Sequence, residues 1–171
     1  MDQYTDQQLL DLFHNSDNPS YAFNLLVRKY QEKIYWHVRR LIIDETPVNP
    51  KFYERMSELL TDLVRKRRDD AIEYAEYLQK IADLVRSVKA GHGGEYPGSI
   101  STPGRKALFD NLGQDEGVAI KVDQVIRENA QSGWRGNRMK ERMLRKKLGE
   151  VIEGEEVIDL IIEIIRSHDE Y

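Results

Sequence analysis

The sequence predicts an all-α helical bundle with a small helical N-terminal extension. Three observations predict it. Apolar residues recur every three or four positions along most of the chain. A third of the residues are charged, which suits salt-bridged outer helix faces. The remaining breaks are rich in Pro and Gly, and no stretch reads as a strand.

The elements follow in order. Thr5 and Gln8 have capping-box spacing ahead of "DQQLLDLFHN", a first helix. In "NPSYAFNLLVRKYQEKIYWHVRRLIID", Asn18 caps a second helix and Pro19 fits its first turn. Phe23, Leu26, Tyr30, Ile34, Val38 and Leu41 make its apolar stripe, and Arg28, Lys29, Lys33, Arg39 and Arg40 lie mostly off it. "ETPVNP" (residues 45–50) cannot continue a helix and marks a hinge or boundary. Phe52, Met56, Leu59, Leu60 and Leu63 mark a third helix. Tyr74, Leu78, Ile81, Leu84, Val85 and Val88 mark a fourth. The "RKRRDD" run between them (residues 65–70) is expected to be a solvated face. "AGHGGEYPGSISTPG" is one long loop, expected to be a flexible connector. It is not a phosphate loop, since no Gly-Lys-Ser or Gly-Lys-Thr follows. Thr102-Pro103 opens a short helix that runs through Leu112 and stops at Gly113. Val118, Val122, Val125 and Ile126 mark the next. Residues 129–149 and "EEVIDLIIEIIRSHDEY" supply two more.

Composition narrows the function. The 171 residues fit one domain, or one domain with a small appendage. The formal net charge is -4, so any nucleic-acid contact must come from a local patch. Without cysteine there is no disulfide, thiolate zinc site or cysteine nucleophile. His14, His37, His92 and His168 are scattered without metal-site spacing, and no cofactor is expected. The N-terminus shows no secretory pattern, and no apolar run approaches the roughly 18 residues of a membrane span. A cytoplasmic protein with no membrane partner is expected.

The local patch is "NAQSGWRGNRMKERMLRKKLG". On a helix turning about 100° per residue, Arg138, Arg142, Arg145 and Lys146 share one arc. Met139, Met143 and Leu144 fall on the other side, with Leu148 at its margin and Lys140 and Lys147 among them. Trp134 and Arg135 precede the helix on a glycine-flanked turn. Guanidiniums bind phosphate oxygens bidentately, and helix N-terminal amides reached through Gly136 add to that. Trp134 either stacks on a base or anchors the turn in the core, and tryptophan is usually buried. The candidate DNA-contacting residues are therefore Trp134, Arg135, Arg138, Lys140, Arg142, Arg145 and Lys146. A merely solvated arginine face, paired with Glu141, Glu150, Glu153 or Glu155, is the alternative.

Three stretches carry a family resemblance. "NPKFYERMSELLTDLVRKRRDDAIEYAEYLQKIADLV", "YPGSISTPGRKALFDNLG" and "VIRENAQSGWRGNRMKERMLRKKL" occur in the order found in the C-terminal helical domain of type I restriction enzyme R subunits. The final "IIRSHDEY" is similar to that family's end. The resemblance spans residues 49–171 and is most specific at "GWRGN" with the Lys-Glu-Arg downstream. It implies a part of an ATP-driven DNA restriction complex, held to the modification core subunits and lying near duplex DNA. The family's motor and nuclease motifs are absent, which implies no enzymatic activity by this chain alone.

The first 44 residues differ. "TDQQLLDLFHNSDNPSYAFNLLVRKYQEKIYWHVRRLIID" resembles the beginning of extracytoplasmic-function sigma factors, where this region packs in the domain that grips RNA polymerase. The resemblance ends at Asp44, before the promoter-reading helices. Residues 1–46 thus read as a truncated sigma-like segment and residues 47–171 as the restriction helical domain, joined as a natural or artificial fusion or by a misjoined reading frame. RNA polymerase, through residues 5–44, becomes an alternative partner. A protein-interaction bundle with no nucleic-acid role is a further alternative.

Overall fold

The structure, a computed structural model, describes residues 4–15, 17–69, 72–91 and 95–171. These form eight helices, with no strand among the described residues. They are α1 (Asp6–Asn15), α2 (Pro19–Glu45), α3 (Pro50–Arg68), α4 (Tyr74–Ala90), α5 (Pro103–Asn111), α6 (Glu116–Asn129), α7 (Arg138–Leu148) and α8 (Glu155–Arg166). The all-α bundle expected from periodicity is the fold observed. His92, Asp70 and part of the glycine-rich loop lie outside the described residues.

Local chemistry sets the helix starts. Thr5 and Gln8 exchange bonds of 2.8 and 3.2 Å, the reciprocal box that opens α1. Asn18, Asn49, Thr102 and Asp115 each accept a backbone N–H in the first turn of α2, α3, α5 and α6. Proline follows directly in the first three of these, where its missing N–H costs nothing. Arg65 to Arg68 form the last turn of α3, where cations complement the helix dipole.

Two apolar cores result. Val27, Val38 and Ile42 of α2 pack with Phe52, Met56 and Leu60 of α3 and with Tyr77, Ile81 and Leu84 of α4. The N-terminal helix α2 is thus built into the same core as α3 and α4. Its deepest arc is turned slightly from the stripe named above, because Lys29 and Tyr30 face α1 and hold Asp6. Leu59, placed on the core stripe of α3 by spacing, is 50% exposed. The second core joins Leu108 of α5, Val122 and Ile126 of α6, Leu144 and Leu148 of α7, and Ile161 and Ile165 of α8. Each such side chain contributes about 1.5–3 kcal/mol on burial.

Polar groups tie the cores together. Buried Asp110 on α5 accepts from Asn49 Nδ2 (2.8 Å), Arg55 Nη2 (3.2 Å) and Tyr96 Oη (2.8 Å). The long loop is therefore fastened through Tyr96, and Ile100 is buried in the second core. A second buried acid, Asp123 on α6, accepts from Arg105 (2.8 Å), Arg127 (3.0 Å) and the Tyr171 hydroxyl (2.7 Å). Burial by itself would raise the Asp123 pKa, but the bonds from Arg127, Tyr171 and Arg105 outweigh it and hold the carboxyl below the usual range. Gly104 makes room for this: a Cβ there would collide with Glu170 and Tyr171. No helix among the described residues is long and apolar enough to cross a membrane.

Candidate nucleic-acid interface

The segment between α6 and α7 makes two tight turns. Trp134 N donates to Gln131 O and Asn137 N to Trp134 O, each at 3.0 Å. Gly133 and Gly136 take φ of +69° and +75°, a region costly for side-chain-bearing residues. The turns drive Trp134 into the second core, where it is 2% exposed. Trp134 thus takes the anchoring place, and no ring face is left for a base. Arg135 turns back to donate to His168 O (2.6 Å) and Ile165 O (3.4 Å), closing the C-terminal end of α8. Lys140 donates to Ser132 O at 2.6 Å. The amides of Met139 and Lys140 are taken up by Asn137 Oδ1 at 3.1 and 3.2 Å, so they are committed to the cap rather than to a phosphate. Arg135→Ala is expected to lower stability by about 0.5–1.5 kcal/mol, measured by urea unfolding, because both carbonyls keep a weaker backbone donor, His168 N and Tyr171 N at 3.4 Å.

The faces of α7 differ from the expected ones. Leu144 and Leu148 are fully buried, while Met139 and Met143 are 76% and 56% exposed. The two methionines sit about 140° around the helix from the two leucines, away from the second core. The arginine arc lies between these faces, as its spacing requires. Arg145, nearest the buried side, pairs with Glu141 at 3.4 Å and with Asp159 of α8. Arg166 of α8 reaches both Glu141 oxygens at 2.7 Å. The Arg166 bonds, against a smaller opposing effect of burial, keep the Glu141 carboxyl ionised to unusually low pH.

These helices enclose a cleft of about 480 Å³ lined by Gly136, Arg138, Glu141, Arg142, Arg145 and Arg166. Four guanidiniums line it with one carboxylate, Glu141, and a second, Asp159, pairs with Arg145 beside it. Arg138, Arg142 and Lys146 have no ion-pair partner among the described residues. Of the acids proposed to neutralise the arc, Glu141 does so in part, and Glu150 pairs with Lys147 instead at 3.0 Å. The sequence-predicted set thus splits. Arg138, Arg142 and Arg145 converge on the cleft, Lys146 lies on the same exposed side of α7, and Trp134, Arg135 and Lys140 serve the fold. Arg166 and Asp159 were missed because they belong to α8, and nothing in local spacing ties them to α7.

Chemically the lining of the cleft suits an anion. Planar guanidiniums on rigid helices suit phosphate oxygens, and one internal carboxylate keeps two of them aimed. No group of three or more metal-ligating side chains occurs among the described residues. No family model, curated protein or solved structure matches the chain.

Proposed function

We propose that this chain is a non-catalytic helical assembly domain of a type I restriction motor subunit that contacts the DNA backbone through the arginine cleft of α7 and α8. The family resemblance over residues 49–171 supplies the first half of that reading. The observation that carries the second is the convergence of Arg138, Arg142, Arg145 and Arg166 on one cleft, where Glu141 and Asp159 engage only Arg145 and Arg166. Its partners on this reading are the modification core subunits and duplex DNA.

Titration of the whole chain with duplex DNA at several salt concentrations tests it. Affinity should fall with salt, by a log–log slope of about 0.9 per phosphate neutralised. Arg138→Ala with Arg142→Ala should flatten that slope by about one to two phosphates and leave stability within about 0.5 kcal/mol, since both side chains are exposed. An unchanged slope sinks the cleft as the contact. No binding at low salt leaves a protein-assembly bundle.

A second reading, a sigma-like adaptor for RNA polymerase, is favoured by the surface of α2. Trp36 and Ile43 are 57% and 58% exposed there, with Arg39 stacked over Trp36. Capture of purified polymerase, lost in Trp36→Ala with Ile43→Ala, is its test.

A further inference from the structure

We infer that the chain binds a second copy of itself, the outward face of α7 in one copy lying on the outward face of α8 in the other.

The two faces carry opposite charge. Opposite its buried Leu144 and Leu148, α7 presents Arg138, Arg142 and Lys146 with Met139 and Met143, all exposed. That side holds no acid, since Glu141 turns to Arg166 of α8. Opposite its buried Ile161 and Ile165, α8 presents exposed Glu155, Glu156, Asp159 and Glu163 with half-buried Leu160. Arg138, Arg142 and Lys146 have no ion-pair partner among the described residues, and neither do Glu155, Glu156 and Glu163. Within one copy the seam between the helices is closed by Arg145 with Asp159 and by Arg166 with Glu141 instead.

That seam determines how a second copy fits. Residue 145 pairs with 159 and residue 141 with 166, so α7 and α8 run antiparallel. Moving outward from the seam at about 100° per residue, α7 shows Arg138, Arg142 and Lys146 before Met139 and Met143. In the same sense α8 shows Glu155, Asp159, Glu163 and Glu156 before Leu160. Because the helices are antiparallel, both turns open to the same side of the pair. A two-fold axis running along the seam then lays each basic stripe on the other copy's acidic stripe and sets Met143 beside Leu160. This is the reciprocal contact that a symmetric dimer requires. An axis across the seam would set cation on cation. A two-fold permits no slide along its axis, so the level of the helices is also set. The two seam pairs bring Arg142 close to the level of Glu163, and each Arg142 meets the Glu163 of the other copy.

The helices have 11 and 12 residues, so the contact is small and the association weak and salt-sensitive. It goes beyond the DNA reading and rests on the charges of both helices. Since it covers Arg138 and Arg142, the second copy competes with DNA for that face.

Sedimentation equilibrium of the whole chain at low salt, from about 10 µM to about 1 mM protein, tests this. A monomer–dimer equilibrium with Kd of roughly 0.1–1 mM is expected, moving toward monomer as salt rises. Arg142→Glu and Glu163→Arg should each abolish the dimer at unchanged melting temperature, since both positions are exposed. An equimolar mixture of the two variants should dimerise again, because both contacts are then restored with one of them reversed in sign. The inference is overturned if the unaltered chain stays monomeric throughout, if either variant dimerises as the unaltered chain does, or if the mixture stays monomeric. Glu163→Arg keeps all four arginines of the cleft, so it should bind duplex DNA at least as tightly as the unaltered chain. Failure of both proteins to bind DNA would count against the proposed function alone.

Discussion

Trp134→Ala is expected to destabilise the protein by about 3–5 kcal/mol, among the largest effects of any single change. The indole is 2% exposed and packs in the core that joins α5, α6, α7 and α8. Its removal leaves a cavity that the two tight turns around it cannot collapse to fill, since both glycines are already in left-handed geometry. Urea unfolding gives the number directly. A loss below about 1 kcal/mol would mean that the ring is not a core anchor and would return it to the DNA-facing surface.

Asp123→Ala should follow closely, at about 3 kcal/mol. The carboxylate is almost wholly buried, and its loss strands the inner ends of Arg105 and Arg127. Those arginines are 30% and 39% exposed and can rehydrate in part, which keeps the cost near the lower end for a broken buried pair. The same group gives the fold a pH signature. Asp123 is held below its ordinary pKa, so its stabilisation is present above about pH 4 and is lost as pH falls through the depressed folded value. Tyr171 is shifted upward, first by burial and then by its bond to Asp123, so the folded state keeps the phenol protonated. That contribution is present below about pH 10 and is lost as pH rises further. Melting temperature against pH should therefore droop at both ends; in the Asp123→Ala variant the acid limb should flatten, and the alkaline limb, set first by burial of the phenol, should flatten less. Parallel curves for the two proteins would assign the pH dependence to other groups.

Helix-by-helix structure was legible in the sequence because caps and periodicity act locally. Thr5, Asn18, Thr102 and Gly113 mark helix ends through bonds or backbone angles within a few residues. What periodicity cannot say is which side of a helix meets which neighbour. Leu59, Met139 and Met143 keep apolar spacing yet face outward, because the partners of α3 and α7 lie on the Leu60 and Leu144 sides. The candidate site shows the same division. The arc of Arg138, Arg142 and Arg145 is a property of one helix and could be read from it. Arg166 completes the cleft only through the packing of α8 on α7, and Arg135 leaves it only because the end of α8 offers two carbonyls within reach. Both are tertiary facts with no local signal.

On the proposed function, DNA lies against the α7–α8 cleft. The most direct measurement is photocrosslinking to duplex DNA from a benzoylphenylalanine placed at Met139, with Leu59 on α3 as the comparison site. Both positions are exposed, so neither change should disturb a core. A salt-sensitive crosslink is expected from Met139 and none from Leu59. Equal crosslinking from both positions, or crosslinking from Leu59 alone, would contradict it.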